Sequence, residues 1–293
     1  MNFKKKFILG IFICLFAAFL TAKPAYAIPT VNGGNYTSAT AYDMGRYTNL
    51  KSVTGILPAQ ETCSYFKFTV NADEKIYIRC SHDKSYSNMS VELRDSADYL
   101  ISKSTRVLDA STLTPFLAVN CDGKKNGQTF YIKVNRGDYD INKPMYFSVS
   151  LNNRIKSGSG TFSFTGSAVN RGNSSMSYSG VDSSIIKLNL SRESKIPAGA
   201  IVTRVSTKST QSPSQGNVHH ILMPESVGNW YTSKVSSATS GSYNISEKDK
   251  IPVKQVWKFK YNAKASKKST MNNVKLYVDW IYDLANTNYK TVL

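Results

Sequence analysis

Side chains that could perform nucleophilic or metal chemistry are scarce in this sequence. It contains three histidines, His82, His219 and His220. The last two are adjacent in a segment that we predict to be a strand, so their side chains should point to opposite faces and could not act on one substrate. The sequence contains neither a Gly-x-Ser-x-Gly nucleophile motif nor a His-Glu-x-x-His metal motif. We therefore predict no catalytic residues, no metal or cofactor site and no enzymatic activity.

Paired carboxylates are the other catalytic possibility. Asp279 and Asp283 lie on a predicted strand with their side chains on one face, about 13 Å apart at the usual rise per residue. Glycoside hydrolysis needs two carboxyl groups closer together than that, at roughly 5–10 Å. We interpret the two aspartates as solvated charges that balance nearby lysines. An exported hydrolase of glycans or peptides, with carboxylates drawn from separate strands, stays open as the alternative.

Lysines form the more informative pattern. Lys254, Lys258 and Lys260 recur with strand spacing on the side predicted to face outward. Several cations on one rigid surface attract polyanions, with an affinity that falls as the salt concentration rises. An alternative is a solvated lysine face that protects an edge strand from aggregation. The predicted polyanion-binding residues are these three lysines and three more in the adjoining loop, Lys264, Lys267 and Lys268.

Strands must position these side chains, because short alternations of apolar and polar residues, separated by turn residues, run through most of the chain. In the first half, Phe66, Phe68 and Val70 alternate with polar residues. In the second half, Trp257 and Phe259 have the parity of core residues, which argues against a base-stacking platform. Such patterning suits sheets with one buried face. We predict an all-β chain of two antiparallel, jelly-roll-like β-sandwiches.

Composition divides the chain near residue 155. Residues 156–160, KSGSG, have the composition of a flexible joint. Residues 28–151 carry 14 basic and 12 acidic side chains, whereas residues 152–293 carry 19 basic and 7 acidic ones. We predict a first sandwich over residues 28–154 and a second, strongly basic sandwich over residues 155–293.

Residues 1–27 have the three parts of a cleavable export signal. Lysines at positions 4–6 precede an apolar run that is too short to span a bilayer. Small residues then precede the predicted cleavage site, in the sequence Ala-Tyr-Ala at positions 25–27. We predict a secreted mature chain without a membrane span, which its charge could retain at the cell surface.

Three cysteines remain after the signal, Cys63, Cys80 and Cys121. Export permits disulfides, but an odd number leaves at least one thiol unpaired. The sequence leaves open whether one disulfide forms among these three residues, and between which two.

Five segments of the first half occur in the order found in a known bacterial domain: AYDMG at 41–45, VTGIL at 53–57, YFKFTV at 65–70, VELRD at 91–95 and FYIKV at 130–134. In this order they resemble the pre-peptidase C-terminal domain, a small β-sandwich found beside secreted peptidases. Some members of that family bind calcium through acidic loops. The corresponding turn here contains Lys84 and few carboxylates, whereas calcium takes six or more oxygen ligands. We therefore interpret Asp83, Asp95 and Asp98 as turn residues.

The second half is similar in strand order to the jelly-roll P domain of proprotein convertases. The similarity lies in KIPAG at 195–199, Met223-Pro224, Trp257 and VDWIY at 278–282. This resemblance implies a second sandwich without catalytic residues.

These observations favour a secreted, non-catalytic binding or accessory protein. Its second sandwich would attach to an anionic extracellular surface or polymer, such as the cell envelope, a wall polymer or a polysaccharide. A structural matrix or coat component is a further alternative. The sequence does not indicate the oligomeric state.

Overall fold

The structure, a computed structural model, describes residues 28–47, 51–107 and 115–290. Strands dominate these ranges, which also contain two short 3₁₀ helices, Glu247–Asp249 and Leu284–Thr287. The predicted all-β class is confirmed. The predicted export signal at residues 1–27 lies outside the described residues. Neither 3₁₀ helix approaches the length and hydropathy that a helix needs to cross a bilayer, and no other helix occurs in the described ranges.

The first half contains eleven described strands that form two sheets. They are β1 (Thr30–Asn32), β2 (Tyr42–Arg46), β3 (Lys51–Leu57), β4 (Cys63–Val70), β5 (Lys75–His82), β6 (Ser90–Arg94), β7 (Leu100–Lys103), β8 (Thr105–Val107), β9 (Phe116–Asp122), β10 (Gln128–Asn135) and β11 (Met145–Asn153). One sheet has the order β1-β3-β11-β5-β9-β8 and the other β2-β4-β10-β6-β7. The neighbours are antiparallel except for β1 with β3 and β2 with β4, which are parallel.

The second half contains ten described strands, also in two sheets. They are β12 (Ile155–Ser163), β13 (Ala168–Asn170), β14 (Val181–Asp182), β15 (Ile186–Asn189), β16 (Ile201–Ser212), β17 (Val218–Pro224), β18 (Tyr231–Thr232), β19 (Ser240–Ser242), β20 (Val256–Ala263) and β21 (Ser269–Asp283). One sheet has the order β12-β21-β16-β19, with β13 also on β21. The other has the order β14-β20-β17-β18, with β15 also on β20.

Burial follows the predicted alternation in both halves. Trp257, Phe259 and Tyr261 on β20 are fully buried, and Leu276 and Val278 on β21 pack in the same core. Because alternate side chains of a strand face opposite sides, one row fills each sandwich and the other meets solvent. The corresponding inward rows of the first half include Phe66, Phe68 and Val70 on β4, and Ile76, Ile78 and Cys80 on β5.

The KSGSG run is not a flexible joint, which corrects the prediction. It lies within β12 and pairs with β21, so that Gly158 faces Trp280. A Cβ atom on Gly158 would lie 2.7 Å from Nε1 of Trp280. Glycine is needed at this inward position because the indole occupies the space of a side chain. The composition suggested a linker where the fold requires room for a tryptophan.

Arg154 joins the two sandwiches. Its side chain is buried and contacts Asp122 of the first sandwich at 2.7 Å and Asp283 of the second at 2.8 Å. Close by, Tyr289 packs its ring against Tyr77, with 5.2 Å between the centroids. The halves are therefore connected through an ion-pair cluster around a buried arginine and not through a mobile linker.

Candidate functional site

The strand lysines are not free cations. Lys258 and Lys260 lie on the outward side of β20, but Lys258 Nζ is 2.9 Å from Glu225 and Lys260 Nζ is 2.5 Å from Asp182. β20 is also an inner strand, with β17 on one side and β14 and β15 on the other. These lysines therefore do not protect a sheet edge. Each is neutralised by a carboxylate.

Lys260 is enclosed further by an aromatic ring. Its Nζ lies 4.6 Å from the ring centroid of Trp230, a cation–π distance. Asp182 also accepts a hydrogen bond from Asn262 Nδ2 at 2.8 Å. Burial alone would raise the pKa of Asp182, but the hydrogen bonds from Lys260 and Asn262 outweigh it and the pKa is lowered. Asp182 is thus ionised and holds the ammonium group in place.

Lys254 does not lie on the strand, contrary to the prediction. β20 begins at Val256, and the preceding residues form a bend. The carbonyl of Val253 accepts hydrogen bonds from Gln255 N at 3.0 Å and from Trp257 Nε1 at 3.1 Å. This compact turn precedes β20, which begins two residues after Lys254, so Lys254 lies outside the strand that carries Lys258 and Lys260.

The loop lysines lie at one end of the second sandwich, which we call the basic loop end. It consists of three connections between the two sheets: residues 171–180 between β13 and β14, residues 213–217 between β16 and β17, and residues 264–268 between β20 and β21. The strands that these loops connect pair with one another around residues 262–271. The topology therefore brings the three loops together.

Asn173 fastens the first loop to the third. It is buried, and its Nδ2 donates to the carbonyl of Lys264 at 3.1 Å and to that of Ser177 at 2.8 Å. Its Oδ1 accepts from Ser177 N at 2.9 Å. Beside it, Gly172 has a φ of +92°, and a side chain there would collide with the carbonyl oxygen of Ser266. The two loops are in direct backbone contact.

Gln215 fastens the second loop to the third. Its Nε2 donates to the carbonyl of Lys267 at 2.8 Å, and its Oε1 accepts from Ser269 Oγ at 3.0 Å. All three loops are therefore held as one surface.

This surface carries four exposed cations, Arg171, Lys264, Lys267 and Lys268. The three loops contain no aspartate or glutamate. None of the four cations makes an ion pair with any other described residue. The structure brings three of the six predicted lysines together here and adds Arg171, which the strand pattern had not indicated.

The two adjacent histidines face opposite sides, as predicted. His220 is fully buried, with Nδ1 2.7 Å from Thr207 Oγ1 and Nε2 3.4 Å from Ser209 Oγ. Burial lowers the pKa of His220 to about 4, so the imidazole is neutral at physiological pH. His219 lies on the outer face, in register with Asn262. The buried imidazole is part of a hydroxyl network in the core, out of reach of a substrate.

The two carboxylates weighed as a catalytic pair each bind an arginine. Asp279 accepts from Arg204 Nε at 2.8 Å, and Asp283 contacts Arg154. Each of the two carboxylates is therefore engaged in an ion pair with a guanidinium group. The alternative of a hydrolase with other carboxylates stays a prediction.

The cysteines are free thiols, so the disulfide left open by the sequence is not formed. On the paired strands β5 and β9, Cys80 is in register with Leu117, and Cys121 is in register with Ile76. The two cysteines are therefore offset from each other by four residues along the strands. Cys63 begins β4 in the opposite sheet. Burial raises the pKa of Cys121 to about 12, as expected for a thiol in an apolar core.

Asp83, Asp95 and Asp98 lie in turns, as predicted. Asp83 Oδ1 accepts from Ser85 N, and Asp95 Oδ1 accepts from Tyr99 N, both at 2.9 Å. Asp98 lies in the same turn as Asp95 and has a positive φ of 63°. Across residues 28–47, 51–107 and 115–290, no three His, Cys, Asp or Glu side chains are grouped closely enough to hold a metal ion.

Comparison with known proteins identifies one relative of nearly full length. No protein-family model matches the chain. YbdN, an uncharacterised protein of Bacillus subtilis strain 168, is 42% identical over 276 residues, which cover 94% of this chain and 95% of YbdN.

Similar solved structures share much less sequence. A protein from Eubacterium rectale, inferred to be secreted, aligns with a TM-score of 0.39 and 12% identity over 84% of this chain and 80% of that one. The pre-peptidase C-terminal domain of a Bacillus anthracis collagenase aligns with a TM-score of 0.28 and 17% identity over 38% of this chain and 94% of that one. The two sheets of the first half agree with the β-sandwich that its resemblance to the pre-peptidase C-terminal domain implies. Membership of that family, and the resemblance of the second half to the P domain, stay predictions.

Proposed function

The chain belongs to the family of Bacillus subtilis YbdN, and we propose that it is an exported, non-enzymatic binding protein that attaches to an anionic extracellular surface or polymer. The basic loop end is the proposed attachment site. The signal pattern of residues 1–27 supports export.

One observation carries the proposal: Arg171, Lys264, Lys267 and Lys268 are exposed on three joined loops whose own residues include no aspartate or glutamate. Exposed like charges repel one another, and unlike Lys258 and Lys260 on β20, these cations are not compensated by a described carboxylate. A polyanion would relieve the repulsion by binding several cations at once, with an affinity that depends on salt. The loop lysines lie outside the strands, so protection of a sheet edge does not account for them.

The proposal is tested by sedimenting the mature chain with isolated bacterial cell wall that carries its anionic polymers. We expect retention at low salt and release as the salt concentration rises. The triple variant Lys264→Glu/Lys267→Glu/Lys268→Glu should bind about tenfold more weakly or worse, because the local charge changes sign.

A matched control separates the site from the overall charge. Lys195→Glu/Lys234→Glu/Lys248→Glu makes the same change in net charge at exposed lysines outside the basic loop end. This control should keep most of the binding. Equal losses in the two triple variants would show that binding depends on net charge alone, and no retention at low salt would refute the function.

A further inference from the structure

The loop of residues 171–180 exposes two large apolar side chains at its tip. Met176 is 81% exposed and Tyr178 is 96% exposed, the two highest values among the large hydrophobic residues of the described chain. Single exposed apolar side chains are common on soluble proteins, but neighbouring ones on a surface can mark a site of contact with a partner or a membrane. A tyrosine with an apolar ring and a polar hydroxyl is also the side chain typical of membrane–water interfaces.

The tip is presented by a fixed loop. Ser177, which lies between the two exposed residues, donates its backbone N–H to Asn173 Oδ1 and accepts from Asn173 Nδ2 through its carbonyl. The backbone N–H of Met176 donates to the carbonyl of Asn173 at 3.1 Å. Because Asn173 is itself bound to Lys264, the apolar tip is tied to the loop that carries the lysines.

Apolar and cationic groups therefore share the basic loop end. The loops contribute Met176 and Tyr178 together with four cations and no carboxylate. A fully hydrated polymer offers phosphate or carboxylate groups to the cations but no apolar phase for the two tip side chains. An anionic lipid bilayer offers both, with charged headgroups above an acyl region that receives apolar side chains.

We propose that the basic loop end docks on anionic lipid bilayers, with Met176 and Tyr178 inserted into the interface and Arg171, Lys264, Lys267 and Lys268 on the headgroups. This inference rests on the proposed function and names the polyanion as a lipid surface. Insertion at the tip and attraction around it are two separable contributions to binding.

The test measures partitioning of the full mature chain onto vesicles of phosphatidylcholine with and without phosphatidylglycerol. We expect binding to the anionic vesicles only. Met176→Ser/Tyr178→Ser should weaken it by roughly tenfold, because each change removes apolar area from the interface. In a Tyr178→Trp variant, vesicles with brominated acyl chains should quench the added indole fluorescence.

Tyr99→Ser/Ile101→Ser is the matched control, because it removes two exposed apolar side chains from the first sandwich, where they are 72% and 50% exposed. It should bind anionic vesicles like the unaltered chain. The tip variant should keep its salt-sensitive binding to cell wall, whereas the triple lysine variant should lose binding to both.

Two results would overturn the inference. If the chain binds cell wall but not anionic vesicles, or if the tip variant binds vesicles as well as the unaltered chain does, lipid docking is wrong while polyanion binding stands. If the chain binds neither material at low salt, the proposed function fails as well.

Discussion

The two ends of the long strand β21 hold positive charge in opposite ways. Near its C-terminal end, Arg154 is 5% exposed and contacts the carboxylates of Asp122 and Asp283. Near its N-terminal end, the cations of the basic loop end are exposed and meet no carboxylate of the described chain. Lys260, on β20 of the other sheet, is an intermediate case: its side chain is 18% exposed and pairs with one carboxylate, that of Asp182.

This difference follows from solvation. A buried cation costs several kcal/mol unless carboxylates and hydrogen bonds replace the lost water. An exposed cation keeps its hydration and needs no partner for stability. The paired charges at the junction thus support the structure, whereas the unpaired charges at the loops are available for a ligand.

The largest expected effect is at the junction. Arg154→Ala should lower the free energy of unfolding by about 3 kcal/mol, because Asp283 loses its buried partner. Arg204→Ala is the matched control, since Arg204 binds Asp279 on the same strand but its side chain is 82% exposed. That change should cost less than about 1 kcal/mol. Urea denaturation of both variants measures the difference, and equal losses would show that burial does not distinguish the two pairs.

The second prediction concerns the uncharged interior between the two ends. The hydroxyl of Ser209 donates its proton to the carbonyl of Ala238 at 3.2 Å. In the contact between Ser209 and His220, Nε2–H of the imidazole is therefore the donor and the Ser209 oxygen the acceptor. Nδ1 then accepts from Thr207, whose Oγ1 is 2.7 Å from the hydroxyl of Tyr243. This arrangement satisfies a neutral imidazole.

Acid should therefore destabilise the second sandwich. The pKa of His220 is about 4 in the fold against an ordinary value of 6.5, so the unfolded chain takes up the proton first as the pH falls. The contribution of His220 to the free energy of unfolding is fully present above pH 6.5. It is lost as the pH falls from 6.5 to 4, and it amounts to about 3 kcal/mol. Chemical denaturation of the unaltered chain and of His220→Gln across this range measures it. The variant should be less stable at neutral pH and should lose clearly less on acidification; an identical acid loss would contradict the assignment.

Much of the fold could be predicted from alternation alone. The parity of residues 257–261 placed Trp257, Phe259 and Tyr261 in the core and Lys258 and Lys260 outside. Alternation reports only which side of a sheet a residue faces. It could not show that Gly158 lies opposite Trp280, a pairing across more than 120 residues of chain, and composition suggested a linker instead.

The site was predicted only in part for a similar reason. Asp182 is 78 residues from Lys260 in the sequence, so the neutralised strand lysine could not be recognised without the sheet pairing. Arg171, Met176 and Tyr178 lie in an irregular loop without periodicity. The signal that could have found them is an apolar pair within a polar, acid-free segment rich in serine and glycine.

The smallest expected effect is at the ion pair between Lys260 and Asp182. Asp182→Asn keeps a hydrogen-bonding side chain but removes the charge opposite Lys260, which should cost about 1 kcal/mol or less because the pair is partly exposed. Although the variant gains one net positive charge, its affinity for anionic polymer should change less than about twofold, since Lys260 stays beneath the Trp230 ring. Adding a lysine at the exposed loop residue Ser266 produces the same net charge and should strengthen binding more. If Asp182→Asn strengthens binding as much as Ser266→Lys does, the strand lysines belong to the binding surface, and the division between compensated and free cations is wrong.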